Sequence, residues 1–366
     1  MLNIRIALVH DSFTQMGGAE RVIEDLHQIF PSAPVFTLVF DEKFRNHYRD
    51  WDIRTSPLQI FYNILPKLQY LLLWIPWATD QLDFSEFDVV ISCSSGFVKN
   101  IRVPKTAKHI CYCHTPPRFL WIDKDYIKQE VPFLLRPLAH LVLNRIKKWD
   151  LRGSERVTHF IANSKEVQSR VSAVYQRTST VVYPGVDVDF WKATRAKQNY
   201  FLIAGRLQAH KNNELIVSIF NELALPLHVV GSGRQEEYLK SIAGPNISFL
   251  GRLPDENLRD EYSGALGFVY PQIEDFGLMP LEAAACGTAT IAYAKGGALE
   301  TVVPGVTGEL FDVVQATGLP DKSDIKKMIL NWQAEKYSKD SLREQAEKFS
   351  KEKFKQRILE FIYNLP

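Results

Sequence analysis

The chain has 366 residues, 46% of them hydrophobic and 23% charged, enough for about two globular domains with full cores. Four cysteines in so long a chain exclude a disulfide scaffold and point to a reducing compartment. The net charge of +2 is uneven: residues 1–180 carry 23 Lys and Arg against 18 Asp and Glu, or +5, and the remainder 21 against 24, or −3. That lean toward anionic partners in the first half falls short of the basic stripe of a nucleic-acid-binding protein.

The first predicted element is a strand over residues 4–9. It is too short, and too free of a small-residue cleavage site, to be a signal peptide. The expected location is therefore cytoplasmic. Gly17-Gly18-Ala19-Glu20 opens a helix to about residue 30, with Val22, Leu26 and Ile29 on one face. A strand follows at 35–40. Residues 58–78 form the longest apolar stretch, but Asn63, Pro66, Lys67 and Gln69 interrupt it. A spanning helix needs about 20 mostly apolar residues, so no transmembrane segment is expected there. Further strands at 88–92, 109–113, 159–162 and 180–183 end in small or polar residues, as parallel strands do.

Pro184-Gly185-Val186-Asp187 breaks this rhythm, and a loop through Lys197 reads as the interdomain linker. The second half then repeats it. Strands are predicted at 201–204, 227–230, 247–250, 267–270 and 289–292, with helices at 213–223, 235–242, 255–262 and 278–285. The tail over 341–363 is charged and helical. The alternation predicts a doubly wound parallel sheet in each half. The expected domains are 1–184, 198–345, and a C-terminal helix over 346–366 packing back toward the first domain. Ligands of such sheets bind at the carboxyl ends of the strands, so chemistry is sought in the loops that follow them.

The most informative loop is Glu274-Asp275-Phe276-Gly277-Leu278-Met279-Pro280-Leu281-Glu282. Pro280 suits a first helical turn. The amides of Gly277 and Leu278 would then open outward as an anion site, and Gly277 lets backbone approach a ligand. The plainer alternative is that Glu282 complements the helix dipole and Glu274 is solvated. A second loop, Gly205-Arg206-Leu207-Gln208-Ala209-His210-Lys211-Asn212, offers the planar fork of Arg206 and the point charge of Lys211, a pair suited to a diphosphate. The alternative is two surface cations. Gly17-Gly18 permits backbone contact with a phosphate or sugar, or is simply a tight turn. Gly231-Ser232-Gly233 resembles the start of a dinucleotide fingerprint, but Glu stands at position 236 and a NAD site is discounted.

Cys111-Tyr112-Cys113-His114 invites a metal reading, yet both cysteines fall on one face of a buried strand and no second ligand cluster accompanies them. His114 itself follows the strand end, ahead of the rigid Pro116-Pro117 turn. It is a site candidate or a structural histidine. There is no nucleophile elbow and no P-loop. The Asp-x-Asp spacing of Asp123 and Asp125 lies in a polar loop without a preceding strand.

Together these motifs and their order resemble glycosyltransferase family 4, across essentially the whole chain. The most specific part is the two-glutamate signature, Glu274 and Glu282 with seven residues between them. Gly205-Arg206 with Lys211, the opening Gly17-Gly18 and the late Gly296-Gly297-Ala298-Leu299-Glu300 agree in order. The segments 17–21 and 113–121 are similar to the subgroup of mannosyltransferases that build bacterial O-antigen polysaccharide from GDP-mannose. The resemblance implies the GT-B fold, an α/β architecture of two Rossmann-like domains facing each other across a cleft. It implies a retaining, metal-independent transfer of a hexose from a nucleotide sugar to a glycan or lipid-linked acceptor. In that scheme Arg206 and Lys211 hold the donor diphosphate and Glu282 the ribose. Glu274 and His114 sit at the transferred sugar, the latter from the first domain. The amides of Phe276, Gly277 and Leu278 meet sugar and phosphate, and Arg252 lies near the base. A UDP-sugar transferase of the same fold and a silent nucleotide-sugar-binding protein are the alternatives.

Two segments of the first half also suit peripheral contact with the inner membrane. Residues 58–78 are unusually aromatic, and 131–149 are apolar early and basic late. The alternative is that both are core helices.

Overall fold

The computed structural model describes residues 4–123, 127, 131–312 and 320–365. The chain divides into two compact units, Met1–Tyr183 and Pro184–Pro366.

Among the described residues, the first unit is built on a seven-stranded sheet: β1 (Ile6–His10), β2 (Val35–Thr37), β3 (Ile53–Thr55), β4 (Val89–Ser94), β5 (Lys108–Cys113), β6 (His159–Ala162) and β7 (Ser179–Val181). Their spatial order is β3-β2-β1-β4-β5-β6-β7, and every pairing is parallel. Ala7, Leu8 and Val9 are wholly buried, as a central strand covered on both faces requires. The crossovers include α1 (Gly18–Ile29), α2 (Leu58–Ile64), α3 (Ile75–Asp80), α4 (Arg118–Trp121), α5 (Arg136–Arg156) and α6 (Lys165–Tyr175).

The second unit carries six strands: β8 (Phe201–Ala204), β9 (Leu227–Val230), β10 (Ile247–Gly251), β11 (Gly267–Tyr270), β12 (Thr290–Tyr293) and β13 (Gly308–Phe311). Their order is β10-β9-β8-β11-β12-β13, again parallel throughout. Its helices include α7 (Asn213–Leu223), α8 (Glu236–Ile242), α9 (Asp255–Gly264), α10 (Leu278–Ala285), α11 (Ala298–Thr301), α12 (Lys322–Leu330), α13 (Lys339–Glu347) and α14 (Lys351–Tyr363). Its core packs Ile203, Val229, Val269 and Ile291 of the sheet against Ile216, Ile219 and Phe220 of α7.

Both halves are thus Rossmann-like, as the alternation implied. In each sheet the strand order reverses once, between β1 and β4 and between β8 and β11. Loops diverging from two such adjacent strands leave a crevice at their carboxyl ends, which is where α/β sheets bind ligands.

Some elements differ from expectation. The ladder of β2 stops at Thr37, not at residue 40, because the chain peels off: Leu38 N–H turns to Asp11 O (3.4 Å) and Phe40 N–H to the Gln59 side chain (2.7 Å). The charged tail is two helices. Ser350 breaks it by capping α14, its hydroxyl accepting from Lys353 N–H. The break is fastened to the start of the unit by Val186 N–H to Phe349 O (2.7 Å) and Lys351 N–H to Val186 O (3.1 Å). The apolar stretch over 58–78 is divided into α2, a 3-10 turn at Leu68–Trp74, and α3. Among the described residues no helix is long and apolar enough to cross a membrane.

Candidate functional site

At the switch point of the second sheet, the loop after β8 (205–212) lies beside the loop after β11 (271–277). Lys211 is almost fully buried, and its ammonium is ion-paired with the Glu274 carboxylate. The Glu274 side chain remains about one-third exposed, at 32%. A second tie runs the same way: Asn212, in the left-handed region at φ +56°, donates its side-chain amide to Pro271 O (2.9 Å). The lysine is sheltered, charge-compensated and open on its acid side, as a cation awaiting an anionic ligand would be.

The rest of the β11 loop is shaped by glycines. Gly277 caps α10 at φ +89°, a conformation that favours glycine, and the first amides of the helix have no partner within it. A Cβ on Gly296 would lie 2.4 Å from Glu274 O, and one on Gly297 would lie 1.9 Å from Phe276 O. Gly297 N–H also donates to Glu274 O (2.9 Å). The late glycine pair is therefore the floor on which the glutamate loop rests. Gly231 and Gly233 do the same for the β8 loop, where a Cβ would sit 1.8 Å from Gly205 O and 2.2 Å from Leu207 O. The Gly-x-Gly run thus has a packing role here.

Glu282, inside α10, is buried, as are Phe276 and the neighbouring Gln272. Phe276 packs its ring on Phe349 (5.7 Å). Leu278, the first residue of α10, is partly exposed. Burial, and after it the negative charge of Glu274, hold the Tyr270 phenol well above its usual value, so it stays protonated. Arg206 is exposed at the start of the β8 loop, and Arg252 is exposed directly after β10. The structure thus joins Lys211 with Glu274, places Gly277 at the N-cap of the adjoining α10 and Glu282 within it, and leaves Arg206 and Arg252 exposed in the loops after β8 and β10.

In the first unit, His114 follows β5 as expected and is buried. Its Nε2 is 2.9 Å from Cys93 Sγ of β4, and its ring lies 5.3 Å from Tyr112. Burial, with His10 as a lesser cause, lowers its pKa to about 3, and burial pushes the Cys93 thiol up. Both are neutral at ordinary pH, so His114 can offer or accept a hydrogen bond but cannot serve there as a cation. Gly17 is the N-cap of α1 and Gly18 its first residue; a Cβ on Gly17 would lie 3.1 Å from Glu20 Oε2. Glu20 in turn meets His10 Nε2 at 3.5 Å, both buried. At the switch point itself, Asp11 accepts the amides of Ser95 (2.6 Å), Phe97 (2.7 Å) and Val98 (2.9 Å), clamping the β1 and β4 loops. His10, Asp11 and Cys93 were not singled out from sequence, although each sits in or just after a strand leading to the switch point. Cys111 and Cys113 lie in β5, buried against Phe160 and Val167. Asp125 lies outside the described residues.

Residues 16–190 match the family model described as Glycosyltransferase Family 4, and residues 187–352 match that described as Glycosyl transferases group 1. A GDP-mannose-dependent alpha-mannosyltransferase of Corynebacterium glutamicum is 33% identical over 125 residues, covering 34% of this chain and 30% of that protein. A GDP-mannose-dependent alpha-(1-6)-phosphatidylinositol monomannoside mannosyltransferase of Mycolicibacterium smegmatis is 27% identical over 216 residues, covering 50% of this chain and 54% of that one. The chain thus matches between about a third and about half of the length of these relatives. In fold it is similar to Anabaena HepE, solved in complex with UDP, with a TM-score of 0.72 at 17% identity over 99% of this chain and 100% of that one.

Proposed function

We propose that this chain, a GT-B glycosyltransferase with a family 4 domain followed by a group 1 domain, moves mannose from GDP-mannose to a glycan or lipid-linked acceptor. The place we infer for it is O-antigen or related polysaccharide synthesis, at the cytoplasmic face of the inner membrane. The observation that carries the donor reading is the Lys211–Glu274 pair at the second switch point, beside the Gly277-capped opening of α10. The mannosyl reading is supported by relatives whose names specify GDP-mannose.

In this reading the diphosphate replaces Glu274 as the partner of Lys211, and Arg206 closes on it from the loop after β8. The first amides of α10 add partial positive charge where the leaving group gathers negative charge, so no metal is required. Glu274, released from its ion pair, turns to the sugar hydroxyls. Glu282 meets the ribose and Arg252 the base. As charge develops, the anomeric C–O bond to the phosphate breaks ahead of acceptor attack. The leaving phosphate takes the acceptor's proton, and configuration is retained through attack on the same face.

Calorimetric titration with GDP, UDP and ADP, first in EDTA and then with Mg²⁺, tests the reading. Tight GDP binding in EDTA is expected. A preference for UDP would overturn the mannosyl donor, and binding of none of the three would overturn the donor site.

A further inference from the structure

Down α1 from the Gly17-Gly18 turn, the first unit holds a hollow of about 260 Å³, lined by Glu24, His27, Gln28, His47, Tyr48 and Trp51. It falls short of the roughly 300–1,000 Å³ of a drug-sized site and has room for one sugar ring. By the rise of an α-helix, Glu24 and Gln28 stand roughly 9–15 Å along the axis from Gly18, so the hollow is separate from the loops at the carboxyl ends of the strands. Its walls are fixed. The His27 imidazole stacks on the Trp51 indole (3.9 Å, 19° between planes), and Tyr48 and Phe13 also pack on Trp51 (4.8 and 6.3 Å). Tyr48, itself buried, donates its hydroxyl to Glu24 Oε1 (2.8 Å), and His47 Nε2 lies 3.0 Å from the same oxygen. Walls held before a ligand arrives lose less freedom when it binds.

The polar groups not consumed by those walls indicate the ligand. Glu24 Oε2, the Gln28 amide, the Trp51 indole N–H and both ring nitrogens of His27 have no hydrogen-bond partner among the described residues. Burial lowers the His27 pKa from 6.5, so at neutral pH its ring carries one donor and one acceptor nitrogen. An acceptor, a donor and two groups that are both thus line one hollow, with no Lys or Arg among them. An anion would call for donors alone. A cation would call for acceptors alone or for open ring faces, and one face of Trp51 is already covered by His27. Neighbouring sugar hydroxyls, each donor and acceptor at once, satisfy the whole set.

We infer that this hollow binds one neutral sugar unit of a glycan, with Glu24 accepting from its hydroxyls, Trp51 Nε1 donating to one, and Gln28 and His27 doing both. The site does not depend on which nucleotide sugar is the donor. Its use rests on the reading of the chain as a transferase to a glycan acceptor. A sugar held here keeps an earlier unit of the growing glycan on the protein, so a longer acceptor binds more tightly than a short one.

The test is NMR of the full chain with isotope-labelled tryptophan, whose seven indole N–H signals include that of Trp51, identified by its absence from Trp51→Phe. Methyl α-mannopyranoside should shift the Trp51 signal with an affinity in the millimolar range, as a few hydrogen bonds to one ring allow, and mannotriose should do so more tightly. Tetramethylammonium and inorganic phosphate should leave it in place. Gln28→Ala removes an exposed amide that holds nothing else, and the loss of its hydrogen bond should weaken the sugar by roughly fivefold. No shift of the Trp51 signal by either sugar well above millimolar concentration would overturn the site. So would a shift by tetramethylammonium or phosphate in place of the sugars, or equal sugar affinity in Gln28→Ala. GDP titration of the same proteins keeps the two readings apart: a sugar-dependent Trp51 shift without GDP binding would sink the donor assignment alone, and GDP binding without that shift would sink this site alone.

Discussion

Replacing Lys211 by methionine keeps the length and volume of the side chain and removes its charge. The stability cost can be bounded from the surroundings. Breaking a fully buried ion pair costs about 3–5 kcal/mol and an exposed one about 0–1. Here the lysine is buried but Glu274 is 32% exposed and can rehydrate, which sets the loss at about 1–2 kcal/mol, a few degrees in melting temperature for a unit of this size. The catalytic cost is of another order. A preorganised group facing the leaving diphosphate is worth on the order of 10²–10³ in rate, or about 2.7–4 kcal/mol of transition-state stabilisation. Lys211→Met should therefore lose far more in kcat, measured as GDP-mannose turnover, than in thermal unfolding, with a smaller fall in GDP affinity. Lys211→Arg should recover part of the rate. A cooperatively folding Lys211→Met that turns over within threefold of the wild type would refute the assignment of this lysine to the diphosphate.

Other expectations concern the fold that carries the site. In the first unit Lys99 is buried against Asp150, whose second oxygen accepts from Trp121 Nε1 and the Tyr175 hydroxyl, both at 2.9 Å. Asp150→Asn strands the ammonium and should cost about 3–5 kcal/mol by urea unfolding, while Lys99→Met/Asp150→Asn should cost less than the single change. Burial lowers His109 and His114 from 6.5 to about 3. The unfolded chain thus binds more protons below 6.5, and stability present above that value is lost as pH falls toward 3. Between pH 7.5 and 5.5 the two histidines should together remove about 3 kcal/mol from unfolding free energy, and His109→Gln should halve that slope. Gly297→Ala, at an ordinary φ of −65° but aimed at Phe276 O, should displace the glutamate loop and weaken GDP binding by about tenfold or more; an unchanged affinity would show that the loop does not rest on it.

Much of this was legible in the sequence where local chemistry decides. β8, β9, β11, α7 and α10 fall on their expected residues because each is a short apolar run or an amphipathic helix closed by glycine or a polar turn. β3 and β13 escaped notice: Ile53-Arg54-Thr55 and Gly308-Glu309-Leu310-Phe311 are outermost strands, too short and too polar to show a pattern. The β-α rhythm placed Lys211 and Glu274 in neighbouring loops, but no spacing rule reveals that residues 63 apart share an ion pair. Partners fixed by tertiary register were equally hidden: Cys93 reaches His114 only because β4 lies beside β5, and Gly297 supports Glu274 only because the β12 loop returns beneath it. The exposure of Leu138 and Leu141 on α5 was not readable either, since a buried helix and a bare one share the same apolar letters.

The two units also differ in when they come into being. The last strand of the first sheet, β7, ends at Val181, and the second sheet waits for β13, which ends at Phe311. At roughly 5–20 residues per second, the first sheet is complete for some 7–26 s before the second one exists. During that interval the first unit can fold on the ribosome-bound chain without the second. A chain arrested before β13 is made would thus hold the first sheet and an unfinished second one.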